Sequence, residues 1–525
     1  MNRIAAYLNR YIDGVAYSAP SILEKYATDR SILKYHPRIV AIPANTQDLC
    51  RLLRFSFQLT KKNISLPVTV RGAANSKTGS AIGNGLLVST EKLNRILEID
   101  VRQRLARVQC GASYHNVREA LRIHGLDLPI QADPSETIGG IIARGARGSL
   151  NAKPLDISDM IEQLEFVLYD GTIIESQKLN PAKGFNGRKL KATEKEIYRK
   201  LAPLIKAKKG IEQSTDHRGL YNLTKASEKS FNLADLVCGS EGTLGVISEV
   251  ILRCEAIYDE PNYVAVLCPN NSKFIEVAGL MHELKFSDVV FYDTEIFNAK
   301  ESTGKDTSFF RSASDDGFLV VAQAKDDSKR LRRKKIHKLA KKLPTGLKLI
   351  ESDDKNIAEF VTLNEKLSAY LNDTSNTQHL PLFDDVYVPF GKMNEYLEGV
   401  NKFAKALKMP LALYGNLDRQ LFSMRPAFNL NESNDRRRLI KMFRIYIDFL
   451  DQLGASPCGN ASSGRLMAMF SNTKRDAKQL ALEAEIKKIF DPAEILNPGL
   501  KHEADAKVIL KHFRTSYNKG VSSKD

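Results

Sequence analysis

The sequence feature that most constrains the fold is a stretch of nearly bare backbone, RGAANSKTGSAIGNG, at residues 71–85. It follows an apolar run at 64–70 that predicts a strand. Two more glycine-dense segments lie downstream, DPSETIGGIIARGARG at 133–148 and GSEGTLGVISEVILR at 239–253. Taken alone, each fits a tight turn or close backbone packing. Together they predict a wrapped, extended anionic ligand, because bare backbone N–H groups can converge on phosphate oxygens.

The common phosphate-binding motifs are absent from these segments. None has the G-x-x-x-x-G-K-[ST] spacing of a Walker A loop, and none has the G-x-G-x-x-G spacing of the Rossmann dinucleotide fingerprint. A dinucleotide bound by another architecture is the interpretation that remains.

Helical and strand patterns alternate along the first half of the chain, which predicts a mixed fold. Thr46 is a candidate cap for a helix, and ILEIDVRQRLARVQCG reads as two strands joined by a charged turn. LEFVLYDGTIIES predicts a hairpin with a two-residue turn at Asp170-Gly171. A chain of 525 residues is too long for one compact core. Longer helical patterns begin after Arg253, so a second domain is predicted there.

The formal charge of +16 has its densest source in KRLRRKKIHKLAKK, residues 329–342. An apolar stripe is predicted on this helix, formed by Leu331, Ile336, Leu339, Ala340 and Leu343. The segment is compatible with a solvated amphipathic helix, with a dock for a membrane surface or a protein partner, or with nucleic-acid binding. Because no zinc-finger, RNP or KH pattern accompanies it, no nucleic-acid partner is predicted.

No metal site and no membrane span are predicted. The six cysteines are scattered without metal-ligand spacing, which favours structural thiols in a reducing compartment. No apolar run approaches the ~20 residues that span a bilayer, and the N-terminus lacks the apolar core of a secretory signal. A cytoplasmic location is expected, with peripheral contact at the inner face of the membrane left open.

The order of several segments closely resembles that in FAD-linked oxidases of the vanillyl-alcohol oxidase type, with a PCMH-type FAD-binding domain. These segments are YATDRSILKYHPRIVAIPANTQDL, RGAANSKTG, DPSETIGG, VLYDG, GSEGTLGVISEV and FDPAEILNPG. The branch that holds D-lactate, D-2-hydroxyglutarate and glycolate dehydrogenases is the most similar. The resemblance covers about residues 20–505.

This resemblance implies an α+β fold, with an FAD-binding domain of two α+β subdomains and an α+β cap domain. The implied boundaries are 1–254 for the FAD-binding domain, with its core at about 38–254, and 255–470 for the cap. Residues 471–505 would return to the FAD domain, and 506–525 would form a flexible tail.

The resemblance also implies which residues hold FAD. The first loop and the Ile138-Gly139-Gly140 turn would cradle the pyrophosphate, the third loop would line the flavin and adenine ends, and Asn497 would bring the chain back to the ring. Asn75 stands where some relatives carry a flavin-attaching histidine, so a non-covalent FAD is expected. The implied cofactor-binding residues are Arg71, Gly72, Ala73, Ala74, Asn75, Ser76, Gly79, Pro134, Ser135, Thr137, Ile138, Gly139, Gly140, Ala143, Glu241, Gly242, Gly245, Val246, Ile247 and Asn497.

The cap departs from the family pattern at four positions. In YGNLDRQLFSMRP and CGNASSGRL, the residues aligned with metal-binding or catalytic histidines and a glutamate are Asn416, Ser423, Asn460 and Ala461. Asn and Ser are poor ligands for divalent metals compared with imidazole and carboxylate. No metal is therefore expected in the cap.

Candidate substrate-side residues remain in the same segments. Tyr414 and Arg465 are the candidate catalytic residues, although Tyr414 could accept a proton only if its pKa were strongly lowered. Arg419, Arg425 and Lys501 are the candidate substrate-binding residues. A purely structural role fits each of the five equally well.

Arg144, Arg147 and Lys153 occupy a segment where similar proteins often show an Asn-rich turn. They would contact FAD phosphate or solvent, or would supply positive charge for an acidic substrate.

Two functions from different classes follow. The first is an FAD-dependent dehydrogenase that oxidises a hydroxyl-bearing, anionic small molecule, such as a 2-hydroxy acid, by hydride transfer to flavin N5. Its electron acceptor would be a quinone, a cytochrome or another molecule, and the oligomeric state stays open. The second is an FAD-binding scaffold subunit that has lost the dehydrogenase site.

Overall fold

The structure is a computed structural model. It describes residues 3–150, 153–176, 190–207, 231–257, 262–293, 317–326, 328–351, 382–408, 411–426, 428–430, 432–459, 462–472 and 475–515, together with residues 220, 221, 223 and 380.

Helices and strands are interleaved along the whole described chain. The helices are α1 Arg3–Tyr11, α2 Pro20–Lys25, α3 Thr46–Thr60, α4 Tyr114–Arg122, α5 Ile138–Ala143, α6 Ala192–Ala207, α7 Leu233–Val237, α8 Asn271–Glu283, α9 Lys329–Lys342, α10 Met393–Leu407, α11 Ser433–Gln452, α12 Gly464–Ser471, α13 Ala477–Phe490 and α14 Ala506–Ile509. The strands are β1 Val15–Tyr17, β2 Ile39–Ile42, β3 Val68–Arg71, β4 Leu86–Ser89, β5 Ile96–Asp100, β6 Leu105–Gln109, β7 Leu126–Asp127, β8 Arg147–Leu150, β9 Lys153–Asp156, β10 Ile161–Val167, β11 Ile173–Glu175, β12 Val246–Arg253, β13 Glu255–Ala256, β14 Asn262–Cys268, β15 Ser287–Asp293, β16 Phe318–Ala324, β17 Leu349–Glu351, β18 Phe383–Tyr387, β19 Leu411–Asn416 and β20 Leu421–Pro426.

Three larger sheets organise these strands. A four-stranded sheet has the order β1-β2-β4-β3, with β4 parallel to both β2 and β3. A five-stranded antiparallel sheet has the order β11-β10-β12-β6-β5. A seven-stranded antiparallel sheet has the order β17-β14-β16-β15-β19-β20-β18. The mixed fold predicted from the sequence is thereby confirmed.

The buried apolar side chains of the described residues form two hydrophobic cores. The first takes its buried residues from the N-terminal half, between Ala5 and Cys254, and from the C-terminal stretch between Ile486 and Leu496. The second is built around the seven-stranded sheet, and it also receives Ile32, Leu33, Tyr35 and Ile82 from the N-terminal half. Because both cores draw on distant parts of the chain, the boundaries at 254 and 470 stay a prediction.

The C-terminal stretch adds to the edge of the four-stranded sheet. The Val68 amide donates to the Ile495 carbonyl over 2.7 Å, and the Asn497 amide donates to the Val68 carbonyl over 2.7 Å. This pairing places Asn497 beside the start of β3, where Thr69 Oγ1 donates to Asn497 Oδ1 over 3.1 Å.

The sequence predicted a flexible tail at 506–525, but residues 506–515 are structured. Within them α14 forms, and the Lys34 amide donates to the His512 carbonyl over 2.8 Å. The Arg514 side chain also donates to the Leu33 and Asp29 carbonyls. Residues 516–525 lie outside the described residues.

Several local predictions need correction. The predicted strand at 64–70 is shorter, because regular pairing begins only at Val68. Asn45, rather than Thr46, caps α3, since its side chain accepts a hydrogen bond from the Asp48 amide. The hairpin between β10 and β11 exists, but Leu168 and Thr172 enclose a three-residue loop in which only Gly171 has a positive φ, of 83°.

The buried stripe of α9 also differs from the prediction. Ile336 and Leu339 are buried as expected, but Leu331 and Ala340 are exposed. Arg332 takes the buried position instead, and its Nε donates to Asn262 Oδ1 over 3.2 Å. An arginine can occupy this site because its hydrogen bonds are satisfied there.

The cysteines are buried and unpaired, as their scattered spacing predicts. All six lie in the described residues, and none forms a disulfide. Burial raises the pKa of the Cys110 thiol to about 12. In the described ranges, no helix combines the length and apolarity needed to cross a bilayer.

Candidate functional site

A large cavity of about 1740 Å³ lies between the glycine-rich loops and the seven-stranded sheet. One wall comes from residues 72–78 and from parts of the segments 130–144 and 241–247. The opposite wall comes from strands β18, β19 and β20, with side chains such as Asp384, Tyr414 and Arg425. The fold therefore brings most of the predicted cofactor-binding residues to the same cavity as Tyr414, Arg419 and Arg425.

The first loop offers a run of free backbone donors. In the described part of the chain, the N–H groups of residues 72–77 donate no hydrogen bond. Ala74 has a φ of 58°, the left-handed conformation that L-residues seldom adopt. The Asn75 side-chain amide donates to Ser135 Oγ over 2.8 Å and so ties the first loop to the second. Consecutive free N–H groups facing a cavity are suited to bind an anion such as a diphosphate.

The second loop contributes close packing rather than free donors. The Ile138 and Gly139 amides donate to the Ala112 and Cys110 carbonyls over 2.9 and 2.7 Å. The Gly140 amide donates to Thr137 Oγ1 over 3.2 Å. The backbone amides of this turn are thus engaged within the protein, and its predicted contact with the pyrophosphate stays a prediction.

Missing side chains let the two loops touch. A Cβ on Gly72 would lie 2.2 Å from Thr137 Oγ1, and one on Gly139 would lie 2.8 Å from the Cys110 Cβ. Both distances are shorter than van der Waals contact, so only glycine fits at either position without a shift.

The third loop is fixed by buried charges. Glu241 has a φ of 56° and is 6% exposed. Its carboxylate accepts from the Ser463 and Gly464 amides over 3.1 and 2.9 Å, and its Oε2 lies 3.2 Å from Lys501 Nζ. Lys487, also buried, donates to the Thr243 carbonyl over 2.9 Å. These contacts hold the loop in one position against the cap and the C-terminal stretch.

Most of the predicted cofactor-binding residues line the cavity. Those on its wall are Gly72, Ala73, Ala74, Asn75, Ser76, Pro134, Thr137, Gly139, Gly140, Ala143, Glu241, Gly242, Gly245 and Ile247. Those that are not on its wall are Arg71, Gly79, Ser135, Ile138, Val246 and Asn497. Asn497 instead connects the first and third loops, because its Nδ2 donates to the Ser80 and Glu241 carbonyls over 2.9 and 2.8 Å.

On the opposite wall, Tyr414 belongs to a charged cluster. Its hydroxyl donates to Asp384 Oδ1 and accepts from Arg425 Nε over 3.0 Å. Lys77 of the first loop lies 3.0 Å from Asp384 Oδ2 and completes the cluster. Tyr414 and Arg425 were predicted from the sequence, whereas Lys77 and Asp384 were missed. A pair of acidic residues inside an apolar strand, FDDVY, was the available signal for Asp384.

The pKa values in this cluster have clear physical causes. Burial acts to raise the pKa of Asp384, but the positive charges of Lys77 and Arg425 outweigh it and lower that pKa to about 2. Burial raises the pKa of Tyr414, and the Asp384 charge adds to the effect. Tyr414 therefore stays neutral near pH 7, which is opposite to what a proton acceptor needs.

Arg419 presents an unused hydrogen-bonding edge. Its Nε and Nη2 atoms are buried and have no hydrogen-bond partner in the described part of the chain, and the residue lines the cavity. Burial lowers the pKa of Arg419, although Asp288 and Asp418 oppose the shift. A guanidinium edge with two aligned donors fits a planar carboxylate.

Asn416 and Ser423, which the resemblance aligns with family histidines, both accept internal hydrogen bonds. Asn416 Oδ1 accepts from the Arg419 amide over 3.1 Å, and Ser423 Oγ accepts from the Asp385 amide over 3.1 Å. Asn460 and Ala461 lie outside the described residues. Among the described residues, no group of three or more His, Cys, Asp or Glu side chains could hold a metal ion.

Arg465 and Lys501 do not lie on the described cavity wall. Arg465 donates to the Gly79 carbonyl, to Asn497 Oδ1 over 3.0 Å and to the Pro498 carbonyl over 2.9 Å. Lys501 is fully buried against Glu241. The predicted catalytic role of Arg465 and the predicted substrate contact of Lys501 are thus corrected, because both side chains tie chain segments together.

Two of the three basic residues after the second loop are also engaged by the protein. Arg144 lines the cavity but pairs with Glu136, with Nε 2.7 Å from Oε2. Arg147 pairs with Asp156 over 3.0 Å, and its Nη1 donates to the Gly459 carbonyl over 3.0 Å. The side chain of Lys153 lies outside the described residues.

Comparison with known families identifies the class of protein. A family model described as FAD binding domain matches residues 37–177, and one described as FAD linked oxidases, C-terminal domain, matches residues 261–500. Together the two models match most of the chain. The protein therefore belongs to the FAD-linked oxidases, and the family predicted from the motif order is confirmed.

Relatives by sequence share low identity. The D-2-hydroxyglutarate dehydrogenase of Haemophilus influenzae is 22% identical over 90% of this chain and 49% of that protein. The D-lactate dehydrogenase of Archaeoglobus fulgidus is 23% identical over 88% of this chain and 90% of that protein. The chain spans about half the length of the D-2-hydroxyglutarate dehydrogenases it matches.

Similar solved structures confirm the α+β fold. p-Cresol methylhydroxylase with substrate bound has a TM-score of 0.70 at 12% identity, covering 96% of this chain and 97% of that one. The 4-ethylphenol oxidase from Gulosibacter chungangensis in its isoeugenol complex has a TM-score of 0.69 at 14% identity, covering 96% and 98%.

FAD is therefore the cofactor, and the residues present fit it. The free N–H groups of residues 72–77 suit its diphosphate, and the glycines of the second and third loops leave room for backbone to approach a flat ligand. Asn75 offers no imidazole for attachment through this loop, so non-covalent binding stays the prediction.

Proposed function

We propose that this protein is an FAD-dependent dehydrogenase that oxidises the CH–OH group of an anionic small molecule such as a 2-hydroxy acid. The observation that carries the proposal is Arg419, whose buried Nε and Nη2 lack a described partner in the cavity that also holds the FAD loops. Both atoms are buried in the structure, so a substrate carboxylate would pair with them after the Arg419 side chain turned towards the cavity. Bound FAD supplies the hydride acceptor in such a reaction.

The chain's own residues would bind and orient the substrate. Arg419 would hold the carboxylate, while Lys77 and Arg425 place two positive charges beside a single carboxylate, Asp384. Tyr414 is neutral and firmly hydrogen-bonded, so it would fix the position of a hydroxyl rather than remove its proton. Asp384 is equally unsuited as a base near pH 7, since its pKa is about 2.

Anaerobic mixing with a panel of D-2-hydroxy acids and sugar alcohols tests the proposal. Bleaching of the oxidised-flavin absorption band by a hydroxy acid is the expected result. Arg419→Ala should then weaken substrate binding by on the order of 100-fold, because two charge-assisted hydrogen bonds are lost. Arg122→Ala is the control, since this arginine lines the same cavity but is exposed and near Glu119.

A second function is favoured by one specific observation. Asn416 and Ser423 both accept internal hydrogen bonds, and the family resemblance aligns these two positions with histidines. An FAD-binding scaffold subunit would retain the loops and lose this chemistry. Protein that carries FAD but is not bleached by any member of the panel would support the scaffold and contradict the dehydrogenase.

A further inference from the structure

We propose that α9, together with exposed apolar side chains near the cavity, docks the protein on an anionic phospholipid surface. This inference does not depend on the reaction proposed above. It rests on the charge of one helix, on the apolar residues beside it, and on the position of both at the cavity.

The exposed charges of α9 are all basic. Its fourteen residues, Lys329–Lys342, include no acidic side chain. The exposed cations that form no ion pair with a described carboxylate are Lys329, Arg330, Arg333, Lys334, Lys338 and Lys341. Lys342 alone among the exposed cations has such a partner, with Nζ 2.5 Å from Glu283 Oε1.

This distribution of positive charge destabilises a helix whose outer face contacts only water. Arg330, Lys334 and Lys338 follow one another at i,i+4 spacing, where like charges destabilise a helix. Lys329 and Arg330 also place positive charge in the first turn, against the helix dipole. A solvated face would relieve both effects with interspersed acidic residues, whereas an external anionic surface relieves them on contact.

Apolar side chains are exposed on the helix and on a second edge of the molecule. Leu331 is 47% exposed on α9, in place of the buried position predicted for it. Ile123, directly after α4, is 82% exposed, and Ile257 is 43% exposed. The Ile257 amide donates to the Gly125 carbonyl over 2.8 Å, so the two isoleucines belong to the same edge of the molecule.

Residues of α9 and of the isoleucine edge both line the cavity. Lys329 and Arg332 of α9 are among its lining residues, and so are Arg122 and Ile257. Arg122, Ile257 and Lys329 are also exposed to solvent. A lipid surface bound by α9 and the isoleucines would therefore lie close to the cavity.

The combination favours lipid over nucleic acid. Lys and Arg attract anionic headgroups, and exposed isoleucine and leucine side chains gain free energy by entering the acyl boundary. Nucleic-acid backbone offers no apolar phase for such side chains. Charge and apolarity together therefore point to a bilayer surface.

The experiment measures co-sedimentation of the FAD-loaded protein with vesicles. One set contains phosphatidylcholine alone, and the other includes about 30% phosphatidylglycerol. The test variant carries Arg330→Glu, Lys334→Glu and Lys338→Glu. The matched control carries Lys62→Glu, Lys92→Glu and Arg102→Glu, which reverse three exposed cations elsewhere in the described chain. Flavin content and thermal midpoint verify that each variant is folded.

We expect binding to the anionic vesicles that the α9 variant weakens by more than about tenfold and that the control retains. Ile123→Ser should weaken binding a few-fold without changing its salt dependence. Three results would overturn the proposal: no binding of the unaltered protein, equal binding to neutral vesicles, or equal loss in the control. Binding of duplex DNA through α9 in the absence of vesicle binding would replace the lipid with nucleic acid.

Discussion

At the scale of single residues, Ala74 stores backbone strain at the cofactor loop. Its φ of 58° costs an alanine about 1 kcal/mol that a glycine does not incur. Ala74→Gly should therefore raise the free energy of unfolding by about 0.5 kcal/mol, after the greater entropy of glycine in the unfolded chain is included. Chemical denaturation measures the change. Ala73→Gly is the control and should be destabilising, since Ala73 does not have a positive φ.

Asp384 makes stability depend on pH in a defined window. Its pKa falls from 3.8 to about 2 on folding, so its stabilising effect is complete above pH 3.8 and is lost as the pH falls through 2. Asp384→Asn should cost at least about 2 kcal/mol near pH 6. The difference in free energy of unfolding between the two proteins should shrink as the pH is lowered from about 4 towards 2.

Lys77→Met tests the same ion pair from the side of the positive charge. Removing the Lys77 charge should raise the pKa of Asp384, so the acid limb of the stability curve should move to higher pH. Identical acid limbs in the unaltered protein, in Asp384→Asn and in Lys77→Met would contradict the role assigned to the cluster.

At the scale of elements, the contact between the first and second loops can be tested by a double-mutant cycle. Gly72→Ala places a Cβ 2.2 Å from Thr137 Oγ1, so it should destabilise the loops by about 2 kcal/mol and weaken FAD binding. Thr137→Ala alone removes the cap of α5 and should cost about 1 kcal/mol. The double variant should be more stable than the sum of the single effects, as thermal midpoints and FAD titration would reveal. Strict additivity would contradict the contact.

Hydrogen exchange can distinguish the roles of these two loops. The amides of residues 72–77 have no hydrogen-bond acceptor in the described chain and should exchange rapidly without FAD. Adding FAD should slow them markedly, whereas the amides of residues 138–140 are already hydrogen-bonded and should change little. Slowing confined to 138–140 would show that the second loop, and not the first, binds the diphosphate.

Sequence patterns predicted elements better than the contacts made by individual side chains. The hairpin after β10 was found because Gly171 marks a turn locally, yet its loop length depends on how Leu168 and Thr172 pair. In α9, the helical spacing of apolar residues predicted that Leu331 is buried. Arg332 is buried instead, because Asn262 of β14 accepts its hydrogen bond. Periodicity carries no information about such a partner.

At the scale of the whole molecule, the site is assembled from segments that are distant in sequence. Motif order alone predicted the family, the fold and most of the cavity-lining loop residues. Motif order could not predict the ion pair between Lys77 of the first loop and Asp384 of β18. Nor could it predict that Arg465 donates hydrogen bonds to the Gly79 and Pro498 carbonyls. Such long-range contacts depend on how the two cores pack together, and the spacing of residues within one segment does not reveal that packing.

The ion pair of Glu241 and Lys501 joins three such segments, since the same carboxylate also accepts from Ser463 and Gly464. Either Glu241→Gln or Lys501→Met leaves one buried charge without its partner and should cost about 3–5 kcal/mol. The double variant removes both charges and should be less destabilised than the two losses combined. Thermal unfolding with and without FAD measures both effects. Because the pair fixes the third loop, each single variant should also bind FAD more weakly, and unchanged FAD affinity would show that the loop holds its position without the pair.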